Sequence, residues 1–140
     1  MYRNILIPTD GSELSEKAVK NGVQLAKALN AKVTGLYVIV DTIVAKGIGK
    51  SMHSKQEDIE AAESFLQVIN AEAKRQGVPH ECFYATAGSV SEEIIKVASE
   101  KGCDLIFMAS HGRRGIRGLL LGSETLHVLT STKIPVMVYR

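Results

Sequence analysis

The sequence predicts an open α/β fold in which a parallel sheet is covered by helices on both faces. Short, nearly continuous apolar segments alternate along the chain with amphipathic helical patterns, and strands that are apolar throughout are typical of such sheets. Of the 140 residues, 45% are apolar and 23% are charged. We expect a single domain at residues 1–140, because no repeat or linker divides the chain.

The first strand and the first helix are predicted from an apolar run and the turn after it. Ile5-Leu6-Ile7 is a short strand stopped by Pro8, and Asp10-Gly11-Ser12 leads into a helix with an acidic first turn. Spacings of three and four residues predict one buried stripe that ends near Asn30. This stripe comprises Leu14, Ala18, Gly22, Leu25 and Leu29.

A second strand at Val33–Val40 precedes a second helix. The segment 41–55 between them has no clear period and is expected to be a mobile excursion. The helical pattern starts near Gln56 and ends at the stop signals Gly77 and Pro79. Its expected buried face comprises Ile59, Ala62, Leu66, Ile69 and Ala73.

The remaining elements continue the alternation. They are a strand at Cys82–Ala85, a helix from Ser89, a strand at Leu105–Ala109, a helix after Gly122 and a strand at Val136–Tyr139. Ser89 and Glu92 have the spacing of a capping box. The helix that they start is expected to bury Ile94, Ile95 and Ala98 before Gly102 ends it.

Charge and composition argue against several classes of partner. A net charge of +2 gives no general reason to expect nucleic acid or an anionic membrane. The chain starts directly with a strand and shows no signal peptide or membrane span, so we expect a cytoplasmic protein. Cys82 and Cys103 are isolated and are expected to be core or near-core thiols in a reducing compartment. His53, His80 and His127 are too scattered to form a metal site.

The candidate functional site is the glycine-rich basic loop between the fourth strand and the last helix. It begins at Ala109-Ser110-His111-Gly112 and, after nine further residues, reaches Gly122-Ser123. Glycines let backbone N–H groups approach an anion, and Ser123 is expected at a helix N-cap beside unpaired amides. The loop also contains Arg113, Arg114 and Arg117. These arginines either clamp a phosphate with their guanidinium groups or form a solvated basic loop.

Asp10 is the candidate for the other half of the site. In open α/β sheets, ligands bind beyond the carboxyl ends of the strands, where the connections diverge to opposite faces. If the first and fourth strands are neighbours, Asp10 converges with the glycine-rich loop and is able to bind a ribose hydroxyl or a base edge. The alternative is that Asp10 serves only as an Asx-turn residue at the helix entry.

Two other motifs have less support. Gly47-Ile48-Gly49-Lys50-Ser51 ends like a P-loop, but Val44 replaces the first glycine of that motif, and a flexible basic loop is the alternative. His111 is able to donate to a phosphate or to carry a proton. No carboxylate or nucleophile stands at a recognisable spacing from it, so we expect a supporting or solvent-facing role and no catalytic residue.

These residues together resemble the universal stress protein family over essentially the whole chain. The segments that carry the resemblance are Ile5–Ser12, Tyr37–Ile39, Met108–Ser123 and Ile134–Val138. Nucleotide-binding members of the family have glycine, two residues, glycine, nine residues, and then glycine with serine or threonine. Gly112, Gly122 and Ser123 match this motif, whereas Ala109 replaces its first glycine.

The resemblance implies a Rossmann-like fold, similar to the adenine nucleotide alpha hydrolases, with strand order 3-2-1-4-5 and ATP in the crevice. It implies an adenosine site at Pro8, Thr9, Asp10 and Val38, with the backbone of Met108 and Ala109 nearby. It places the phosphates at Gly112, Gly122, Ser123, Glu124 and Thr125. Glu124 would repel phosphate unless it points away or a magnesium or manganese ion intervenes. The resemblance also implies a homodimer paired through the edge strand Val136–Tyr139.

Ala109 bears directly on whether this chain binds ATP. If position 109 needs a positive φ, alanine there costs about 1–2 kcal/mol of conformational free energy. At an extended strand end, only the methyl group of alanine matters. The strand pattern favours the extended case.

We therefore expect an ATP-binding regulatory protein of the stress response, and slow ATP hydrolysis at most. The alternatives are a nucleotide-independent interaction module and an adenylyl transferase, whose HIGH-type and SGGxDS-type signatures do not occur in the sequence.

Overall fold

The computed structural model describes residues 1–49, 55–113 and 121–140. Strands and helices alternate along the chain as predicted. The elements are β1 (Asn4–Pro8), α1 (Glu13–Leu29), β2 (Lys32–Val40), α2 (Thr42–Ala45), α3 (Gln56–Gln76), β3 (His80–Ala87), α4 (Val90–Glu100), β4 (Leu105–Ala109), α5 (Ser123–Ser131) and β5 (Val136–Tyr139). The predictions for Lys50, Ser51, His53, Arg114 and Arg117 lie outside the described residues.

The strands form one parallel sheet in the order β3-β2-β1-β4-β5, which confirms the predicted topology. Strand β1 pairs with β2 on one side and with β4 on the other. The carboxyl ends of β1 and β4 therefore lie side by side, and the two loops that carry the candidate site residues start next to each other. Among the described strands, β5 lies at one edge of the sheet and pairs with β4.

The sheet is buried on both faces, as its apolar strands predict. Successive residues of a strand point to opposite faces, and β1 divides in this way. Ile5 and Ile7 pack in a core with α1 and α3, and Leu6 packs in a second core with α4 and α5. Strand β4 follows the same alternation, with Phe107 and Ala109 in the first core and Met108 in the second.

The ends of the helices have the expected chemistry. Ser12 is the N-cap of α1, and its side chain accepts the N–H of Ser15 at 3.2 Å. Ser89 caps α4 by accepting the N–H of Glu92. Helix α3 ends at Gly77, whose φ of 70° is a left-handed conformation that glycine adopts without strain.

The buried face of α1 differs from the predicted stripe. The buried residues are Ser15, Ala18, Val19, Gly22, Val23 and Ala26, while Leu14, Leu25 and Leu29 are only partly buried at its flank. The reason is the close approach of the helix to the sheet. A Cβ on Gly22 would lie 2.7 Å from the Ile7 side chain and 3.0 Å from the Phe107 ring. Small side chains therefore occupy the centre of the contact, and the leucines cover its margin.

Further differences concern segment 41–55, β3 and α4. A short helix, α2, starts within the segment that has no clear period, because the Asp41 carboxylate caps it by accepting the N–H groups of Ile43 and Val44. Strand β3 extends beyond the predicted Cys82–Ala85 at both ends.

In α4 the residues Ser91, Ile94, Val97 and Ala98 are buried, whereas Ile95 is only partly buried. The last four residues of the predicted α3 face are buried, and Ile59, the first, is partly buried.

Both cysteines are free thiols at or near the core, as predicted. Cys103 is buried and Cys82 is partly buried. Burial raises the pKa of the Cys82 thiol to about 11, so the thiol stays protonated at neutral pH and is a poor nucleophile.

None of the helices within the described ranges is long and apolar enough to cross a membrane.

The central strand should dominate the free energy of unfolding. Leu6 is fully buried in β1, so Leu6→Ala should lower this free energy by about 2–5 kcal/mol in urea titrations. The matched control is Leu126→Ala on α5, since Leu126 is 51% exposed, and it should change stability by about 0.5 kcal/mol or less. Equal losses of unfolding free energy in the two variants would contradict the burial of Leu6 in the core.

Candidate functional site

The loops after β1 and β4 are joined by the carboxylate of Asp10. Its Oδ1 accepts the N–H of Ser12 at 2.9 Å, which closes an Asx turn at the entry to α1. Its Oδ2 accepts the N–H of Arg113 at 2.9 Å, across a separation of 103 residues. Asp10 therefore combines the Asx turn of one interpretation with the approach to the glycine-rich loop of the other. The side chain forms the local turn, and it also contacts the glycine-rich loop.

Gly112 leaves room for the Asp10 carboxylate against its backbone. A Cβ on Gly112 would overlap Asp10 Oδ2, so any other residue would displace the Asp10 side chain. At the far end of the loop, the N–H of Gly122 donates to the carbonyl of Ser110 at 2.7 Å. A Cβ on Gly122 would lie 3.2 Å from His111 Cα. The two motif glycines therefore permit two close backbone contacts.

Asp10 is held as a carboxylate. Burial alone would raise its pKa, but hydrogen bonds from Ser12, Ser15 and Arg113 outweigh that effect and hold the pKa below the ordinary value. At neutral pH the side chain is therefore an acceptor with a full negative charge. This is the form in which it is able to accept hydrogen bonds from ribose hydroxyls.

The other predicted nucleoside residues lie around the ends of β1 and β2. Pro8 is the last residue of β1, and Val38 is partly buried against the core on the α4 face. The N–H of Thr9 donates to the carbonyl of Leu36 at 2.9 Å, and the Thr9 hydroxyl lies 2.9 Å from that of Ser15. Thr9 is buried, so its hydroxyl organises the turn, and its contribution to a ligand site comes from its position in the backbone.

Ala109 ends β4 in extended conformation. It pairs with Tyr139, and Asn30 is the only non-glycine residue with a positive φ in the part of the chain that is described. The prediction that Ala109 occupies an extended strand end is therefore confirmed. Thr125 lies close by, and its buried hydroxyl donates to the Ala109 carbonyl at 2.9 Å. This bond fixes the start of α5 against the end of β4.

The prediction that Ser123 is a helix N-cap is wrong by one residue. Gly122 has the extended conformation of a cap, with φ of −72° and ψ of 161°, and Ser123 is the first residue of α5. Gly122 has no side chain with which to cap the helix, and no side chain among the described residues donates or accepts a capping hydrogen bond there. The first N–H groups of a helix have no partner within the helix, so the start of α5 suits an anion.

Glu124 points away from the start of α5. Its carboxylate accepts the N–H of Ser91 at 2.7 Å, near the first turn of α4. This contact stabilises the N-terminal end of α4 through its dipole. Of the two arrangements expected for Glu124, the structure therefore shows the one in which the side chain turns aside, and only its backbone remains beside the motif.

Two aromatic residues beside the crevice are not indicated by the sequence spacing. Phe65 of α3 stacks on Tyr37 of β2 with ring centroids 5.3 Å apart, and the guanidinium of Arg113 lies 4.7 Å from the centre of the Phe65 ring. Arg113 is exposed, and its cation rests on an aromatic face. Its contact with a phosphate stays a prediction. No spacing rule connects Phe65 with the motifs, because it belongs to a separate helix.

His111 contacts its own neighbour. Its Nδ1 lies 3.1 Å from the hydroxyl of Ser110, and Ser110 is only 2% exposed. His111 is therefore anchored to the buried start of the loop, and its role towards a ligand stays a prediction.

Comparison with known proteins gives a consistent result. A sequence model of the universal stress protein family matches residues 1–140. The universal stress protein MJ0577 of Methanocaldococcus jannaschii is 32% identical over 157 residues, with 100% of this chain and 96% of that protein aligned. The solved structure of MJ0577 has a TM-score of 0.78 and 31% identity, covering 99% of this chain and 96% of the other.

Two other solved structures contain adenine nucleotides. A universal stress protein in complex with cAMP has a TM-score of 0.77 at 24% identity, covering 99% of this chain and 97% of that one. A universal stress protein of Archaeoglobus fulgidus in complex with dAMP has a TM-score of 0.76 at 19% identity, covering 99% and 98%. At these identities the likeness establishes a shared fold.

The charge on Asp10 should make stability depend on pH. Because its folded-state pKa is lowered, the carboxylate contributes stability above the unfolded value of about 3.9, and this is lost as pH falls through the folded pKa. We expect the free energy of unfolding of the wild type to exceed that of Asp10→Asn at about pH 6, with the difference shrinking below about pH 4. Urea titrations across this range measure it, and a constant difference would contradict the assignment.

Proposed function

The chain belongs to the universal stress protein family, and we propose that it is an ATP-binding regulatory protein of the stress response. In this proposal, nucleotide binding changes the conformation or the dimer state, and the protein acts through that change. Slow hydrolysis of ATP is compatible with the proposal, but turnover is not the main role. We further propose that the protein works in the cytoplasm.

The observation that carries the proposal is the junction between Asp10 and Gly112. A charged acceptor and a glycine-rich loop meet at the carboxyl ends of two adjacent parallel strands, which is where open α/β sheets bind ligands. The cAMP and dAMP complexes indicate that this fold accommodates adenine nucleotides in other proteins. For this chain, the proposal of nucleotide binding therefore rests on its own residues at the junction.

The proposed contacts divide between the nucleoside and the phosphates. Asp10 would bind the ribose or the base edge, with Pro8, Thr9, Val38 and the backbone of Met108 and Ala109 around the adenosine. The phosphates would lie at the backbone of Gly112, Gly122 and Ser123 and the start of α5, where the helix has no side-chain cap. Thr125 would position that helix through its bond to Ala109, and Glu124 would contribute its backbone only.

A magnesium or manganese ion would enter the site bound to the phosphates of ATP. The carboxylate of Glu124 is already hydrogen-bonded to Ser91, and no group of three or more His, Cys, Asp or Glu residues suited to a metal occurs among the described residues. Phosphate oxygens are ordinary ligands of magnesium. We therefore propose that the metal accompanies ATP and shields its charge.

Ser110, the serine beside His111, is not an accessible nucleophile. Ser110 is hydrogen-bonded to His111, but its burial keeps substrates away from the hydroxyl. This favours binding over covalent catalysis.

The second candidate is an interaction module that does not depend on nucleotide. Two observations favour it. Ala109 departs from the nucleotide-binding motif, and both Asp10 oxygens already accept backbone hydrogen bonds. Calorimetric titration with ATP and magnesium separates the candidates, because this second one predicts no binding by the wild type and none by Ala109→Gly.

Gly112→Ala should weaken nucleotide binding at least tenfold, about 1.4 kcal/mol, because its Cβ would displace the Asp10 carboxylate. Titrations with ATP, AMP and cAMP in the presence of magnesium measure the effect. Gly77→Ala is the control, since Gly77 has a positive φ but nothing within 4 Å of its Cβ position, and it should leave the affinity unchanged. Equal affinities for the wild type and Gly112→Ala would argue against this site.

We also propose a homodimer that pairs through the β5 edge. Within the described residues, β5 pairs with β4 alone, and Met137 on it is 42% exposed, so a second copy would extend the sheet at this edge. Light scattering at micromolar concentration should give twice the mass of one chain, and Met137→Glu should give the single mass. A wild-type mass near that of one chain would refute the dimer.

A further inference from the structure

We propose that Phe65 is a positioning residue of the nucleotide site, whose ring holds the β1–α1 turn and the β4–α5 loop at a fixed separation. The proposal rests on the proposed function, since it concerns the affinity of that same site. Phe65 is a residue of α3, a helix that supplies none of the site residues implied by the family motif.

The first contact is with Gly11. A Cβ on Gly11 would lie 2.3 Å from Phe65 Cε1 and 2.4 Å from Cδ1, so the ring lies directly against the backbone of the residue after Asp10. Gly11 also has a φ of 78°, which other residues adopt only with strain. The ring therefore supports the turn that sets the direction of the Asp10 side chain.

The second contact is with Arg113. Its guanidinium lies 4.7 Å from the centre of the Phe65 ring, and the attraction of a cation to an aromatic face holds the side chain there. The backbone N–H of Arg113 is the donor to Asp10 Oδ2. Holding the Arg113 side chain therefore also holds the N–H group that connects the β4–α5 loop to Asp10.

The third contact fixes the ring itself. Tyr37 stacks on Phe65 with an interplanar angle of 24°, and it directly precedes Val38, a proposed adenosine contact. Burial raises the pKa of the Tyr37 hydroxyl, while the positive charge of Arg113 opposes the rise, which places Arg113 and Tyr37 in one electrostatic environment. One ring thus contacts segments that follow or belong to three neighbouring strands, β2, β1 and β4.

The substitution Phe65→Leu tests this role, because it keeps an apolar side chain and removes the aromatic face. Phe83→Leu is the matched control. Phe83 is partly buried in the core on the α4 face, and its ring faces the Lys101 ammonium at 4.8 Å. Both substitutions therefore remove a partly buried ring with a bound cation, but only one of these rings touches Gly11 and Arg113.

The first measurement needs no nucleotide. Hydrogen exchange by nitrogen-15 NMR reports on the amides of Ser12 and Arg113, the donors to Asp10. In Phe65→Leu the Arg113 amide should exchange at least tenfold faster than in the wild type, with no change in Phe83→Leu. Arg113→Met, which leaves the core intact, should change this exchange in the same direction, and it provides the test if Phe65→Leu does not fold. Unchanged exchange would overturn the proposal, whatever the protein binds.

The second measurement is the affinity for ATP with magnesium, by calorimetry. Phe65→Leu should weaken binding at least fivefold, and Phe83→Leu should leave it unchanged. Faster exchange with unaltered affinity would overturn the role of Phe65 in the nucleotide site. If the wild type binds no adenine nucleotide, the proposed function fails and the affinity part of this proposal fails with it. The exchange result would then show separately whether the ring holds the two loops.

Discussion

The pairing of β1 with β4 is the constraint on which the rest of the structure depends. Ile5 pairs with Leu105 and Leu6 pairs with Ile106, and this register joins the first half of the sheet to the second. The helices that follow the two strands cover opposite faces, so the chain leaves a crevice where they diverge. The two cores fix the register, because a slip of one residue in β1 or β4 would exchange the side chains of that strand between the two cores and disrupt the packing of both.

The junction at Asp10 shows how the crevice is arranged without a ligand. Two backbone N–H groups donate to the carboxylate, and hydrogen bonds to charged groups contribute about 1.5–3 kcal/mol each. A ribose that bound Asp10 would share the carboxylate with the N–H of Arg113, since each carboxylate oxygen is able to accept two hydrogen bonds. Binding would then change the link between the two loops, which gives a direct physical route from nucleotide occupancy to conformation.

The fold could be predicted from the sequence to a large extent, and the site only in part. Alternating apolar and amphipathic segments indicate the parallel sheet, because each element must bury its apolar side. The burial of α1 could not be read from the positions of its leucines, since close approach at Gly22 favours small residues there. The direction of Glu124 depends on α4, and the contact between Phe65 and Arg113 depends on α3. Both are tertiary contacts without a fixed sequence spacing.

Ala109 illustrates why a departure from a motif has to be judged by conformation. A glycine that supplies a positive φ cannot be replaced cheaply, but Ala109 is extended and paired with Tyr139. Its side chain belongs to the core formed with α1 and α3, together with Phe107, and it is only 8% exposed. Most of the methyl group is therefore covered by protein. The backbone carbonyl still accepts the bond from Thr125 that fixes α5, a role that glycine and alanine fill equally well. The restriction at this position is thus on the size of the side chain, and alanine lies within it.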